Sequence, residues 1–190
     1  FQICKAFRQG EAGRHHNPEF TLLEWYRVGW DHTALMREVA ELLGTVWNSS
    51  GWQVWPYRAL FIEFFGVDPL NERTSLAALN DLAQSRIGSV PDSLDRDAAL
   101  DLLMSHCIEP GISDWGTVFV TDFPPSQVAM ARYTSGGDVE VAARFECYMC
   151  GKELANGYWE QIDADALAAQ LHAENTRRQQ RGLPERPIDE

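Results

Sequence analysis

Two stretches of this chain set charged, amide and aromatic side chains at strand spacing. The first runs from Arg8 through GRHHNPEFTLLEWY, residues 13–26. On an extended chain Phe20, Leu22, Glu24, Tyr26 and Val28 share one face, which places Glu24 in an apolar row. A carboxylate in such a row needs a cationic or hydrogen-bonding partner, because burying it alone is costly. On the preceding strand Arg8 shares a face with Cys4 and Ala6. The second stretch is ECYMCGKELANGYWE, residues 146–160. There Asn156, Tyr158 and Glu160 alternate on one face, with Gly157 leaving the backbone open between them. Glu146 and Glu153 stand on opposite arms of a hairpin, close enough in sequence to meet at one cation. Two carboxylates suit Mg²⁺, which completes its shell with water and phosphate oxygens. An arginine for phosphate, carboxylates for Mg²⁺ and a glutamate–tyrosine set for an amine suggest a site for a nucleotide triphosphate and a cationic substrate.

Other residues at first sight suggest different chemistry. His15 and His16 are adjacent, so on an extended chain their rings point apart and do not form a zinc pair. Cys147 and Cys150 have CxxC spacing, but Cys4 and Cys107 do not supply a second CxxC. The surrounding FECYMCGKEL reads as a strand entering a hairpin rather than a redox helix, so the cysteines are read as structural. Nothing suggests an exported disulfide scaffold, and a reducing cytoplasm is the expected setting.

The elements that must position these residues follow from periodicity. FQICKAFR and FTLLEWYRVGW read as strands joined by the loop QGEAGRHHNPE. Asp31 or Thr33 can cap a helix over 33–47, with Leu35, Met36, Val39, Leu42, Leu43 and Val46 on its buried side. YRALFIEFFGV, SLAALNDLAQSR and SLDRDAALDLLMSHC read as further helices, and Pro56 fits the first turn of the first. Residues 33–107 are thus expected as a helical insertion. Strands return at GTVFVTDFP and in a hairpin turning near Cys150–Lys152, spanning 116–162 together. Asp163 then caps a helix over 164–180. The fold class is α+β: an antiparallel sheet with helices, in one domain covering residues 1–190.

The chain has 190 residues, 45% hydrophobic, and a net charge of −12, so it is a poor non-specific binder of nucleic acid. The basic cluster in NTRRQQRGLPER is read as a solvated helix face. No apolar run is long enough to span a membrane, and no signal peptide is visible. The sequence starts without methionine inside a strand-like run, which suggests a fragment of a longer protein.

FRQGEAGRHHNPEFTLLEWY resembles motif 2 of the lysine branch of class II aminoacyl-tRNA synthetases, and RFECYMCGKELANGYWEQ resembles a later segment of that branch. The two segments occur in the right order around the helical insertion, and the resemblance covers essentially the whole chain. HNPEFTLLEWYR, the ELANG run and the closing GLPERPID are most similar to the elongation factor P (R)-β-lysine ligase family, a short paralogue of lysyl-tRNA synthetase. The resemblance implies the catalytic-domain sheet of class II synthetases. It also implies ATP-dependent activation of (R)-β-lysine to an aminoacyl-adenylate, with transfer to a lysine of elongation factor P rather than to tRNA. The equivalent segment of a true lysyl-tRNA synthetase, which acts on lysine and tRNA, and a catalytically inactive binding paralogue remain the alternatives.

Carried over by position, the resemblance implies that Arg8 grips the α-phosphate and is the catalytic group. Gln9, Gly10, His16, Asn17 and Phe20 would line the ATP site, with Phe20 on the adenine. Glu146 and Glu153 would hold Mg²⁺, and Glu153 and Leu154 would lie beside the nucleotide. Glu24, Tyr26, Asn156 and Glu160 would receive the amino groups of the substrate, with Tyr158 as a wall, all in one pocket. No side chain serves as a covalent nucleophile, so catalysis rests on positioning and electrostatics. One departure stands out: synthetases of this branch carry FRNE, whose glutamate meets the adenine, whereas this chain has Gly10 there and its acid one residue later, at Glu11. Either Glu11 takes over or backbone groups read the base. Motif 1, the dimer-forming element of the family, is expected before Phe1, and motif 3 after Glu190. The full-length protein is then expected to be a homodimer, and the 190 residues alone inactive.

Overall fold

The computed structural model describes residues 1–8, 17–47, 51–91 and 94–188, which fall into two compact units, Phe1–Trp30 and Asp31–Glu190. The first unit is a two-stranded antiparallel sheet of β1, Gln2–Phe7, and β2, Glu19–Glu24. Its register pairs Gln2 with Glu24, Cys4 with Leu22 and Ala6 with Phe20, so these six side chains share a face. The Arg8 amide continues the ladder to the Pro18 carbonyl at 3.0 Å. The second strand is shorter than its aromatic content suggests. It ends at Glu24, so Tyr26 and Val28 do not continue the row of Phe20, Leu22 and Glu24. Turn residues at Arg27–Trp30, closed by a Trp30 amide to Arg27 carbonyl bond, take over instead.

The second unit is built on a five-stranded sheet. It comprises β3, Gln53–Pro56; β4, Thr117–Phe123; β5, Tyr133–Ser135; β6, Glu140–Met149; and β7, Lys152–Tyr158. Both β4 and β7 pair with β6 in antiparallel fashion, as does β5. β3 is the exception to the antiparallel sheet expected from the sequence: it runs parallel to β4 at the edge. It also interrupts the stretch 33–107, which is otherwise helical. Four residues carry too short an alternation to read as a strand, and the last of them, Pro56, reads as a helix start.

The helices begin where side-chain caps allow. Asp31 accepts the Ala34 amide at 2.7 Å and opens α1, His32–Trp47. α2, Tyr57–Phe65, follows Pro56 and stops at Gly66, which is left-handed. Ser75 caps α3, Leu76–Ile87, and Asp95 caps α4, Arg96–Leu103. α4 continues as a π turn, Met104–Ile108, into the short α5, Glu109–Gly111. Asp163 caps α6, Ala164–Gln180. On α1 the buried residues are Met36, Val39, Ala40 and Leu43, a narrower stripe than expected. Leu42 and Val46 are exposed at 38% and 62%.

The core lies on one face of the sheet, where Val118, Val120, Ala142 and Tyr148 meet Tyr57, Leu60 and Phe61 of α2, Leu79 of α3 and Leu100 and Leu103 of α4. α1 covers the other face at β6 and β7. There Phe145 meets Phe119 edge-on at 5.7 Å. A Cβ on Gly157 would come within 2.5 Å of the Phe145 ring and 3.3 Å of Leu35. Gly157 therefore does not leave an open backbone; it permits close contact between β7 and this aromatic layer.

The basic cluster near the end is largely exposed, as expected, and its arginines are paired within the chain. Arg177 pairs with Glu174, Arg178 donates to the Pro184 carbonyl, and Arg181 pairs with Asp95. Asn175 makes two hydrogen bonds, each 2.9 Å, to the Arg186 backbone and folds the tail onto α6.

Candidate functional site

The hairpin of β6 and β7 positions most of the site in the second unit. Its turn is Cys150–Gly151, both at positive φ, 52° and 68°, which joins Met149 to Lys152 in two residues. From there the register pairs Glu146 with Asn156 and Arg144 with Tyr158, so these four side chains share a face. Strict alternation would send Glu153 to the opposite face. A bulge prevents this: Cys147 opposes Ala155 but Tyr148 opposes Glu153, leaving Leu154 as the extra, exposed residue. The one-residue slip turns Glu153 to the side of Glu146 and Asn156.

That face opens on a cavity of about 710 Å³ whose walls include Arg144, Glu146, Tyr148, Glu153, Asn156 and Tyr158. α4 contributes Asp97 and Asp101, and Glu109 of α5 and Tyr57 of α2 complete the opposite wall. Glu146 sits at the centre of a hydrogen-bonded network. Arg144 Nη2 donates to its Oε1 and the Tyr148 hydroxyl donates to its Oε2. Arg144 Nε also donates to Asn156 Oδ1 at 3.1 Å, and the guanidinium lies 4.6 Å from the Phe123 ring centroid. Burial and the charge of Glu146 push the Glu109 carboxyl up to about 7, with the Tyr148 hydroxyl pulling the other way. Burial and the surrounding carboxylates raise Tyr148 strongly, so its hydroxyl stays a donor. The Tyr57 hydroxyl is buried, and burial raises it as well, with Gln127 pulling the other way.

Glu146 and Glu153 line one cavity and are the carboxylate pair a divalent cation would use there. Each oxygen of Glu146 accepts one donor, so lone pairs remain on both. The further carboxylates of Asp101 and Glu109 line the same cavity, which favours positive charge. Among the described residues no group of three or more His, Cys, Asp or Glu side chains is placed to hold a metal ion. The cysteines take no part. All four are free thiols, and burial in β6 pushes Cys147 up to about 12.

The remaining predicted residues divide by unit. In the first, the Arg8 guanidinium lies 5.2 Å from the Phe20 ring centroid, on the face these residues share. The Tyr26 hydroxyl donates to Glu24 Oε1 at 3.3 Å, although Tyr26 lies beyond the strand, and Gln2 donates to Glu24 Oε2 at 3.1 Å. Asn17 is exposed next to Pro18. Gln9, Gly10 and His16, with Glu11 and His15, lie outside the described residues. In the second unit Glu160 stands two residues past β7. Its backbone is bridged to Ala131, its carbonyl accepts Arg132 Nε at 3.0 Å, and it does not line the cavity with Asn156 and Tyr158.

Arg144, Tyr148 and Glu109 were missed from the sequence as site residues. Arg144 and Tyr148 had a signal: with Glu146 they occupy alternate positions of RFECY, so the row that contains the carboxylate contains both of its donors. Glu109 had none, because only tertiary packing brings α5 to β6.

An antiparallel sheet with this acidic hairpin and this order of elements is that of a class II synthetase catalytic domain. The chain belongs to the family of tRNA synthetases class II (D, K and N), whose model matches residues 1–183. Among curated relatives, a protein of Vibrio cholerae serotype O1 named elongation factor P–(R)-beta-lysine ligase is 43% identical over 196 residues. Proteins of the same name from Edwardsiella ictaluri and an Enterobacter species are 42% and 41% identical. Each alignment covers 100% of this chain and 58% of the relative, so the chain spans a little over half their length.

Proposed function

We propose that the protein to which this chain belongs activates a lysine-type amino acid, (R)-β-lysine, with ATP and ligates it to a lysine of elongation factor P in the cytoplasm. The observation that carries this reading is the bulged β6–β7 hairpin, which presents Glu146, Glu153, Asn156 and Tyr158 to one acidic cavity. The names of the three relatives favour the protein acceptor over tRNA.

In this reading the substrate carboxylate attacks the α-phosphorus of ATP, the bond to the bridging oxygen breaks, and pyrophosphate leaves with its electron pair. The acceptor amine then attacks the carbonyl carbon of the adenylate and AMP departs. Arg8 neutralises charge on the α-phosphate, and Phe20 stacks on adenine with the Arg8 guanidinium over its ring. Glu146 and Glu153 hold Mg²⁺, which supplies charge neutralisation for the phosphates. In the second unit Asn156 accepts a hydrogen bond from a substrate ammonium group and Tyr158 packs on the aliphatic stem; in the first, Glu24, with Tyr26 on its Oε1, is the ammonium acceptor. Gln9, Gly10, His16 and Asn17 complete the nucleotide side, and Leu154 lies beside it.

The test is ATP–pyrophosphate exchange by the intact protein with α-lysine and with (R)-β-lysine. Faster exchange with (R)-β-lysine supports the reading. Exchange with α-lysine followed by charging of tRNA overturns it in favour of a lysyl-tRNA synthetase, and no exchange with either amino acid overturns it in favour of an inactive paralogue.

A further inference from the structure

We propose that Arg144 is a positioning residue that, anchored on Glu146, fixes the amide of Asn156 as an acceptor and so sets the affinity for the cationic amino acid. The proposal rests on the role given above to Asn156. One guanidinium spans both partners: Nη2 donates to Glu146 Oε1 and Nε donates to Asn156 Oδ1 at 3.1 Å. Arginine is a donor only, so whichever amide atom faces it must be the oxygen. The amide of Asn156 is thereby held with its acceptor beside Glu146, both on the cavity wall. A flipped amide would turn its NH₂ group towards the guanidinium, a repulsive contact.

Arg144 is itself held. Its side chain is 16% exposed and that of Glu146 is 10%, and its plane lies against Phe123. The pair is therefore enclosed, and its geometry is fixed by packing rather than by solvent. A lysine at this position keeps the charge but not the fork: a point ammonium on a flexible stem can satisfy Glu146 or reach Asn156, not hold both. The role is thus specific to the shape of arginine, which separates positioning from simple charge balance.

The experiment measures (R)-β-lysine affinity by calorimetry without ATP or metal, and KM and kcat in pyrophosphate exchange. It compares the intact protein with Arg144→Lys, Asn156→Ala and the double variant. Each single change is expected to weaken binding and raise the amino-acid KM by about tenfold, while kcat changes by less than about threefold. The double variant is expected to bind no worse than Asn156→Ala, because both changes remove the same oriented acceptor. Wild-type affinity in Arg144→Lys, or additive losses in the double variant, overturns the proposal while leaving the role of Asn156 intact. No effect of Asn156→Ala overturns both. If Arg144→Lys does not fold, Arg144→Met with Glu146→Gln leaves no unpaired buried charge. Affinity retained in that pair overturns the proposal; loss of affinity not deepened by Asn156→Ala supports it.

Discussion

Replacing Gly157 by alanine tests the packing that aims Asn156 and Tyr158 into the cavity. The new methyl would lie 2.5 Å and 2.7 Å from two atoms of the Phe145 ring and 3.3 Å from Leu35. Carbon atoms pack at about 3.5–4.0 Å, so the overlap is roughly 1 Å. Relief must come from the ring or from the strand. Phe145 is fully buried and braced edge-on by Phe119, so the ring has no open direction. Overpacking of a closed core costs about 1–3 kcal/mol, and the enclosure places this substitution near about 3. For a domain of about 150–250 residues that corresponds to a Tm drop of about 6–12 °C, and less for a longer protein. Urea and thermal unfolding of the intact protein measure it. Phe145→Leu in the same background shortens the obstructing side chain and should recover at least about 1 kcal/mol relative to additivity. A loss below about 0.5 kcal/mol for Gly157→Ala, the level of an open surface site, would refute the packing argument.

Further outcomes follow from the same geometry. In metal-free buffer, the contribution of the raised Glu109 carboxyl to stability is full below its ordinary value of 4.5 and is lost as pH rises through 4.5 to about 7. Glu109→Gln should therefore gain roughly 1–2 kcal/mol over the parent at pH 8, after allowance for partial exposure, and little at pH 4, by urea unfolding. Asp163→Ala should cost about 1 kcal/mol by removing the α6 cap, and Asp163→Ser should cost little, by the same assay. Phe20→Ala should raise the KM for ATP about tenfold by removing a stacking platform while leaving that for the amino acid near its parent value.

Periodicity carried much of the fold. The caps Asp31, Ser75, Asp95 and Asp163 and the turn at Cys150–Gly151 are local signals, and the helices and the main hairpin follow from them. What failed was where a local signal was too short or absent. β3 is four residues long and is held by its parallel partner β4, not by its own alternation. β2 ends at Glu24 although aromatic residues of strand type continue to Trp30. The site shows the same division. Asn156 was visible in an alternating row, and Glu146 and Glu153 as carboxylates on opposite arms of one hairpin. Why Glu153 shares their side depends on a bulge at Leu154 that no residue in ELANG announces. Arg144 lay in plain view in RFE, but its double role needs the register that sets Asn156 opposite Glu146. Glu109 and Tyr57 reach the cavity only through packing of α5 and α2 onto the sheet.

The most direct measurement of the central claim is the mass of elongation factor P after incubation with the intact protein, ATP, Mg²⁺ and (R)-β-lysine. A gain equal to one β-lysyl residue on a single lysine, lost in Glu146→Gln and only slowed at low (R)-β-lysine in Asn156→Ala, is the predicted result. An unmodified factor under conditions where the same protein charges tRNA with lysine would contradict it.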